Sequence, residues 1–371
     1  MKVLSIGIHL NGNFGDDAAG TAFLEELASR PEITEITVMP KIFAGYKVAD
    51  NNKKIKYYVE STVGNRYTAL LKKISNYKKL LKTVDYITIG PCGSSIGIYK
   101  DRMLLMYAYL AVKAKKKVVF ALDSLNDSKD KKYNKYARKV FEKSKIFVRE
   151  KASQKYLESI GISSEFGIDS AFNMSDSHHN KNKQKQIIFV PSNFGFHPDF
   201  RDFNFEEMMK NRILPCIAKK AKEENCKISI LPNFHNLDAE EGIVNKISNF
   251  DIDGVHIDLC DNVKTVYDYD NTLNNAEIVV SMRYHGVVLS AKNCTPFIGI
   301  SYEQKMNEVA GYTGLSDYMI DLKNFDENKF SSMLDKIFEN KEQIENKLEQ
   351  FSKSEIIQTT KLPINYIVNN Q

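Results

Sequence analysis

Short apolar runs alternate with stretches of helical periodicity along most of this chain, and that alternation restricts the fold more than any other feature. Runs at 2–8, 35–39, 84–89, 117–122 and 145–148 predict strands, and the intervening 17–29, 66–82, 100–115, 130–143 and 151–160 predict helices. Strands that are apolar throughout, separated by helices, make a parallel sheet covered on both faces. A polar stretch, Ser175 to Lys183, interrupts the pattern, which then restarts with strands at 185–190, 227–231, 255–259 and 276–281 and helices at 205–223 and 238–248. A chain of 371 residues is long for one core. The expectation is an α/β protein of two Rossmann-like domains facing across a cleft, a GT-B-like arrangement, with domains at 1–174 and 185–335. A charged helical segment, 336–371, follows, broken near its end by Pro363.

The formal net charge of +5 suits anionic small molecules or an anionic surface and does not require nucleic acid. Five cysteines, at 92, 216, 226, 260 and 294, contain no Cys-x-x-Cys pair, so neither a disulfide framework nor a zinc site is indicated. His178 and His179 lie in the polar stretch, and His197, His235 and His256 lack neighbours at ligand spacing, so no metal is expected. The amino-terminal residues run directly into a strand pattern without a signal-peptide layout. No apolar run approaches the roughly 18 residues that span a bilayer. These features predict a cytoplasmic protein with reduced thiols.

The stretch Ala276 to Ala291 carries the clearest chemistry. A buried-looking strand meets Arg283-Tyr284-His285-Gly286, and an apolar helix follows. Only 8 of the 52 basic residues are arginine, so an Arg at a strand mouth, two residues before a His, stands out. Arginine presents a planar fork to phosphate or carboxylate, histidine moves protons near neutral pH, and a helix start leaves N–H groups for an anion. The stretch reads as a site for a small anion with acid–base chemistry beside it, or as an Arg and a His that cap the helix.

Other strand ends offer further candidates. Asn13-Phe14-Gly15-Asp16-Asp17 follows the first strand; its glycine allows close backbone approach, and its aspartates can cap a helix. It is neither a dinucleotide fingerprint nor a Walker loop. Gly90-Pro91-Cys92-Gly93-Ser94-Ser95 can turn N–H groups and hydroxyls, Gly93 and Ser94 among them, toward an anion. Arg149 ends a strand and can clamp a ligand or form an ion pair. Asp169 reads as a general base or as a cap at the domain junction. Lys305 follows the strand Ile298–Ile300. The 66–82 helix places Tyr67, Leu70, Leu71, Ile74, Tyr77 and Leu81 on one face and lysines on the other, which fits a surface helix or contact with anionic lipid.

Together these elements resemble the polysaccharide pyruvyl transferases. The elements that resemble that family occur in its order: Asn13-x-Gly15-Asp16; the Gly-rich turn at 90–93; Val148-Arg149-Glu150-x-x-Ser153; Asp169-Ser170-Ala171-Phe172; Ser281-x-Arg283-x-His285-Gly286; and Pro296-x-Ile298-x-Ile300-x-Tyr302-x-x-Lys305. Gly90-Pro91-Cys92-Gly93 stands where the family tends to a glycine run, and Tyr284 where Leu is common. The resemblance implies phosphoenolpyruvate as donor, no cofactor, and a sugar or lipid-linked oligosaccharide as acceptor. The product would be a cyclic pyruvate ketal in bacterial exopolysaccharide or cell-envelope synthesis, and the lysine-rich 66–82 helix offers a peripheral contact at the inner membrane surface. The resemblance implies His285 and Asp169 as catalytic groups. Arg283, Arg149, Asn13, Gly15, Asp16, Gly93, Ser94, Tyr284, Gly286 and Lys305 would bind substrate. Two other readings share the fold: a glycosyltransferase using a nucleotide sugar, and a non-catalytic module that organises polysaccharide assembly.

Overall fold

The computed structural model describes residues 1–9, 12–40, 52–58, 66–91, 93, 95–175, 180–193, 200, 202–234, 242–248 and 251–370. They form two compact units. The first comprises Met1–Gly12, Asp16–Met174 and Glu355–Gln371, and the second Asn13–Gly15 and Ser175–Ser354.

The first unit is built on seven strands, β1 (Lys2–Ile6), β2 (Glu35–Met39), β3 (Ile55–Tyr57), β4 (Tyr86–Ile89), β5 (Lys117–Asp123), β6 (Ser144–Val148) and β7 (Glu165–Phe166). All pair in parallel, in the order β3-β2-β1-β4-β5-β6-β7. Its helices are α1 (Phe14–Ser29), α2 (Arg66–Leu81), α3 (Arg102–Lys113), α4 (Lys131–Phe141) and α5 (Lys151–Ser159). Alternate strand residues face opposite ways. Ile6, Ile87 and Phe120 meet Tyr77 of α2, Ala108 of α3, Val140 of α4 and Leu157 of α5 on one face. Val3, Tyr86, Val119 and Phe147 meet Phe23 and Leu27 of α1 on the other.

The second unit has β8 (Gln184–Val190), α6 (Phe205–Met208), a π turn at Met209–Ile213, α7 (Leu214–Glu224), β9 (Lys227–Ile230), α8 (Ile243–Ile247), β10 (Asp251–Ile252) and β11 (Val255–Leu259). It continues with α9 (Val266–Asn275), β12 (Ala276–Ser281), α10 (Tyr284–Lys292), β13 (Phe297–Ser301), α11 (Gln304–Thr313), β14 (Met319–Asp321), α12 (Glu327–Glu339) and α13 (Lys341–Ser352). The sheet order is β10-β11-β9-β8-β12-β13-β14, parallel except for the β10–β11 edge pair. Every residue of β12 and β13 is buried, which explains their largely apolar sequence, Glu277, Ser281 and Ser301 being the polar members.

Two expectations need correction. Residues 336–371 are not one segment, because the first unit reclaims the chain at Glu355. There α14 (Leu362–Asn369) buries Ile364 and Ile367 in the α1 face of the first sheet, and apolar residues at that spacing need such a surface. The predicted apolar face of α2 is also only half used: Tyr77 and Leu81 are buried, whereas Leu70 and Leu71 are 36% and 53% exposed. Of the expected 238–248 helix, 238–241 lie outside the described residues, and α8 accounts for Ile243–Ile247.

In each sheet the strand order turns back once, between β1 and β4 and between β8 and β12. Crevices at the carboxyl ends of such switch points are where open α/β sheets hold ligands.

Candidate active site

The Arg-Tyr-His-Gly turn lies at the switch point of the second sheet. Arg283 is the residue before α10, extended at φ −111° and ψ 136°. The Ser281 hydroxyl accepts from the Arg283 N–H at 3.0 Å and donates to its carbonyl at 2.9 Å, so the turn is clamped by its own strand. Arg283 Nε donates to the carbonyl of Pro191, just past the end of β8, at 3.3 Å. Its guanidinium lies 5.5 Å from the centre of the Phe234 ring. These contacts orient the fork across the switch point without neutralising it.

His285, in the first turn of α10, is buried at 8% exposure. Its ring stands edge-on to Tyr284, centroids 4.9 Å apart. Its other neighbour is Gly15, where a side-chain carbon would sit 2.6 Å from His285 Cβ; the glycine is required for backbone to touch imidazole. A small set of contacts holds that glycine. Asn13 Oδ1 accepts from the Gly15 N–H at 3.0 Å and from Asn233 Nδ2 at 3.1 Å. The Phe14 N–H donates to the Asn233 carbonyl at 3.0 Å, and the Tyr269 hydroxyl to Asn233 Oδ1 at 3.2 Å. Phe14 and Tyr269 stack at 5.0 Å. Gly286 is needed because a Cβ there would run into the Ser281 hydroxyl, spoiling the clamp.

Lys305, in the first turn of α11, pairs with Glu303 at 2.9 Å and lies 5.5 Å from the Tyr284 ring centre and 5.7 Å from that of Tyr302. Burial pushes the Tyr302 phenol above its ordinary value; Glu303 adds to the rise, and Lys305 and Arg283 oppose it. Arg283, Tyr302 and Lys305 are therefore electrostatic neighbours.

The first unit has its own set. Arg149 follows β6 at 5% exposure, and its Nη1 donates to Asp169 Oδ2 at 2.5 Å. Its Nε donates to the Ser124 hydroxyl at 3.2 Å, past β5, and its Nη2 faces Gly93. Asp169 is fully buried, and its Oδ1 accepts from the Ala171 N–H at 2.9 Å, capping a 3-10 turn. Asp16, in the first turn of α1, faces His9: Oδ2 lies 3.3 Å from Nδ1. The Ser95 hydroxyl is 3.4 Å from His9 Nε2. His9 follows β1 and Ser95 follows β4, the strands that flank the first switch point.

The expected residues thus fall into two groups. Asp16, Gly93, Arg149 and Asp169 belong to the first unit. Asn13, Gly15, Arg283, Tyr284, His285, Gly286 and Lys305 belong to the second. Ser94 lies outside the described residues. Sequence reasoning missed His9, Asn233 and Phe234. A His just past the first strand was the available signal for His9; nothing in the sequence pairs Asn233 with Asn13. Among the described residues no three His, Cys, Asp or Glu side chains gather as a metal set, and no helix is long and apolar enough to cross a membrane.

The profile of one family, polysaccharide pyruvyl transferase, matches residues 13–304, most of the chain and every site residue just described except His9 and Lys305. The chain belongs to the polysaccharide pyruvyl transferase family. No protein of curated function matches the sequence. Solved structures resemble this pyruvyl transferase family member in fold alone. A UDP-GlcNAc 2-epimerase from Neisseria meningitidis bound to UDP-GlcNAc has a TM-score of 0.63 at 13% identity over 100% of both chains. Anabaena Alr3699/HepE with UDP and glucose has a TM-score of 0.63 at 11% identity over 100% of both. S. aureus MnaA with UDP has a TM-score of 0.62 at 14% identity, over 99% of this chain and 95% of that one. All share the architecture of two parallel-sheet, Rossmann-like domains.

Proposed function

We propose that this protein transfers pyruvate from phosphoenolpyruvate to two hydroxyls of a sugar in a polysaccharide or lipid-linked precursor, forming a cyclic ketal and releasing phosphate. The observation that carries this reading is the convergence of Arg283, His285 and Lys305 at the carboxyl ends of β12 and β13, in a chain of this family. Phosphoenolpyruvate brings a carboxylate and a phosphate. Arg283 supplies a fork for one, and Lys305 with the N–H groups opening α10 supplies charge for the other. His285 is the acid–base group. A proton reaches the methylene carbon, and a sugar hydroxyl bonds to the electron-poor C2 as its own proton leaves. The second hydroxyl then bonds to C2 while the C–O bond to phosphate breaks. Of the two hydroxyl protons, one balances the new methyl group and the other leaves with phosphate.

Asp169 is better suited to hold Arg149 than to accept a substrate proton, because it is fully buried and both its oxygens are engaged. Arg149, with an edge toward Gly93, and Asp16, beside His9, are the substrate-facing candidates of the first unit. The Asn13 side chain serves to fix Gly15 against His285. Tyr284 is the wall between His285 and Lys305.

The competing reading is a nucleotide-sugar glycosyltransferase, favoured by the UDP complexes of the similar folds. Phosphate release from phosphoenolpyruvate with a panel of sugar acceptors, and detection of the ketal methyl by NMR, tests the proposal. Sugar transfer from UDP-sugars with no turnover of phosphoenolpyruvate would replace it. Inertness toward both would leave the assembly module.

A further inference from the structure

The helical layer formed by α2, α3 and α4 has three properties found together nowhere else among the described residues. The first is charge. Residues 66–143 carry 19 Lys and Arg against 6 Asp and Glu, so the rest of the chain, with 33 against 41, is acidic. The mild overall charge hides a strongly basic region inside an otherwise acidic protein. Lys72, Lys78, Lys79, Lys82, Lys100, Arg102, Lys132 and Lys135 are exposed there.

The second property is apolar exposure. The described large apolar side chains that stand in solvent are Leu70, Leu71, Ile98, Tyr99 and Tyr136, from 36% to 54% exposed, and all five belong to this layer or to the turn that leads into α3. Single exposed apolar residues are ordinary, but their confinement to the one basic layer is not.

The third is a cavity of about 390 Å³ between α3 and α4. Leu105, Met106, Tyr109 and Tyr136 give it an apolar lining, and the cations Arg102 and Lys132 stand beside them. Tyr109 and Tyr136 form its aromatic side, edge to face at 5.7 Å. The one acid on its lining, Asp130, is committed to the start of α4, where it accepts from the N–H groups of Lys132 and Tyr133. The Tyr133 N–H above all, then that of Lys132, holds its carboxyl below the usual range against burial, and the charges of Lys100 and Arg102 add to the lowering.

We infer that the α2–α4 layer of the first unit docks onto the surface of an anionic phospholipid bilayer, with the α3–α4 cavity receiving part of one lipid, its phosphate beside Arg102 and Lys132. Clustered lysines attract an anionic leaflet, and the exposed Leu, Ile and Tyr side chains enter the interfacial region. A nucleic acid partner would use the cations but would give Leu71 and Ile98 no reason to be exposed, and an acidic protein partner would give the chain no reason to float with phosphatidylglycerol. The inference does not depend on the pyruvyl-transfer reading, since vesicle binding needs neither donor nor acceptor.

The test is flotation of the full chain with phosphatidylcholine vesicles, with and without phosphatidylglycerol. The wild type should float only with phosphatidylglycerol, and added salt should weaken the binding. Replacing Lys72, Lys73, Lys78 and Lys79 together with Gln should reduce binding about tenfold or more. The same number of Lys→Gln changes at Lys219, Lys222, Lys227 and Lys336, exposed on the second unit, should leave it near wild type. Leu71→Ser with Ile98→Ser and Tyr99→Ser should still bind at low salt but lose the binding retained by wild type at high salt. Arg102→Gln with Lys132→Gln should weaken binding to phosphatidylglycerol further than either surface lysine alone. These positions are exposed, except half-buried Lys73, and unchanged melting curves confirm folded variants. Failure to float with phosphatidylglycerol overturns the inference, as does equal loss from both lysine sets or no effect of the apolar set.

Discussion

The two sheets have the same plan and treat their switch-point arginines in opposite ways. In the first unit Arg149 is buried and paired with a fully buried Asp169 at 2.5 Å. In the second, Arg283 is half-buried and held by a carbonyl at 3.3 Å and the face of an aromatic ring. A buried pair fixes structure at a large desolvation cost, while a carbonyl and a ring fix the direction of a guanidinium. The histidines differ likewise: His9 is bracketed by Asp16 and Ser95, and His285 by a backbone glycine and a tyrosine edge. The same switch-point geometry thus yields a stabilised centre in one unit and a poised one in the other.

The strongest way to break this contrast is to remove one functional side chain from each centre. Arg149→Met leaves Asp169 buried without its partner and should cost about 3–5 kcal/mol of stability, read as a lowered denaturant midpoint. A variant as stable as wild type would mean that the pair is not structural. His285→Ala should leave the melting curve nearly unchanged and cut turnover by about 100-fold or more. A fall in donor affinity with turnover preserved at saturation would instead make His285 a binding residue.

Arg283→Lys keeps the charge and loses the fork. It should cost about 1.5–3 kcal/mol in kcat/KM for phosphoenolpyruvate with the fold intact; unaltered kinetics would remove Arg283 from the site. Gly15→Ala pushes a methyl group into the His285 ring and should lower kcat about tenfold, with KM little changed, by misplacing the imidazole. Equal damage to kcat and stability would show that the loop supports the fold instead.

The smallest effect concerns pH. The neutral phenol of Tyr302 is favoured by burial, so its ionisation is raised. Proton loss from Tyr302 should therefore be absent through the ordinary tyrosine range, and Tyr302 should remain a hydroxyl donor beside Arg283 there. Ultraviolet difference titration of wild type against Tyr302→Phe should show no Tyr302 phenolate formed below about pH 10. A phenolate signal below that value would place Tyr302 in water and weaken the view of this centre as desolvated.

Much of this protein was legible in its sequence because the signals were local. The fully buried strands β12 and β13 are apolar apart from Glu277, Ser281 and Ser301, so their apolar runs announced a parallel sheet. Arg283 and His285 sit within three residues of each other, so one turn displays them together. The roles of Asn13, Gly15 and Asp169 were not legible in this way. Asn13 meets Asn233 at a separation of 220 residues, and Asp169 meets Arg149 across 20; nothing in either neighbourhood specifies the partner. The face of α2 was readable as amphipathic, but not which part of it would be covered. Periodicity and composition determined the fold class, and the ordered motifs carried the resemblance to the family, because each is written in consecutive residues. Only the tertiary structure decided which charges are neutralised, which glycine touches the imidazole and which apolar side chains stay in water. Those outcomes depend on which distant segments the sheet order brings side by side.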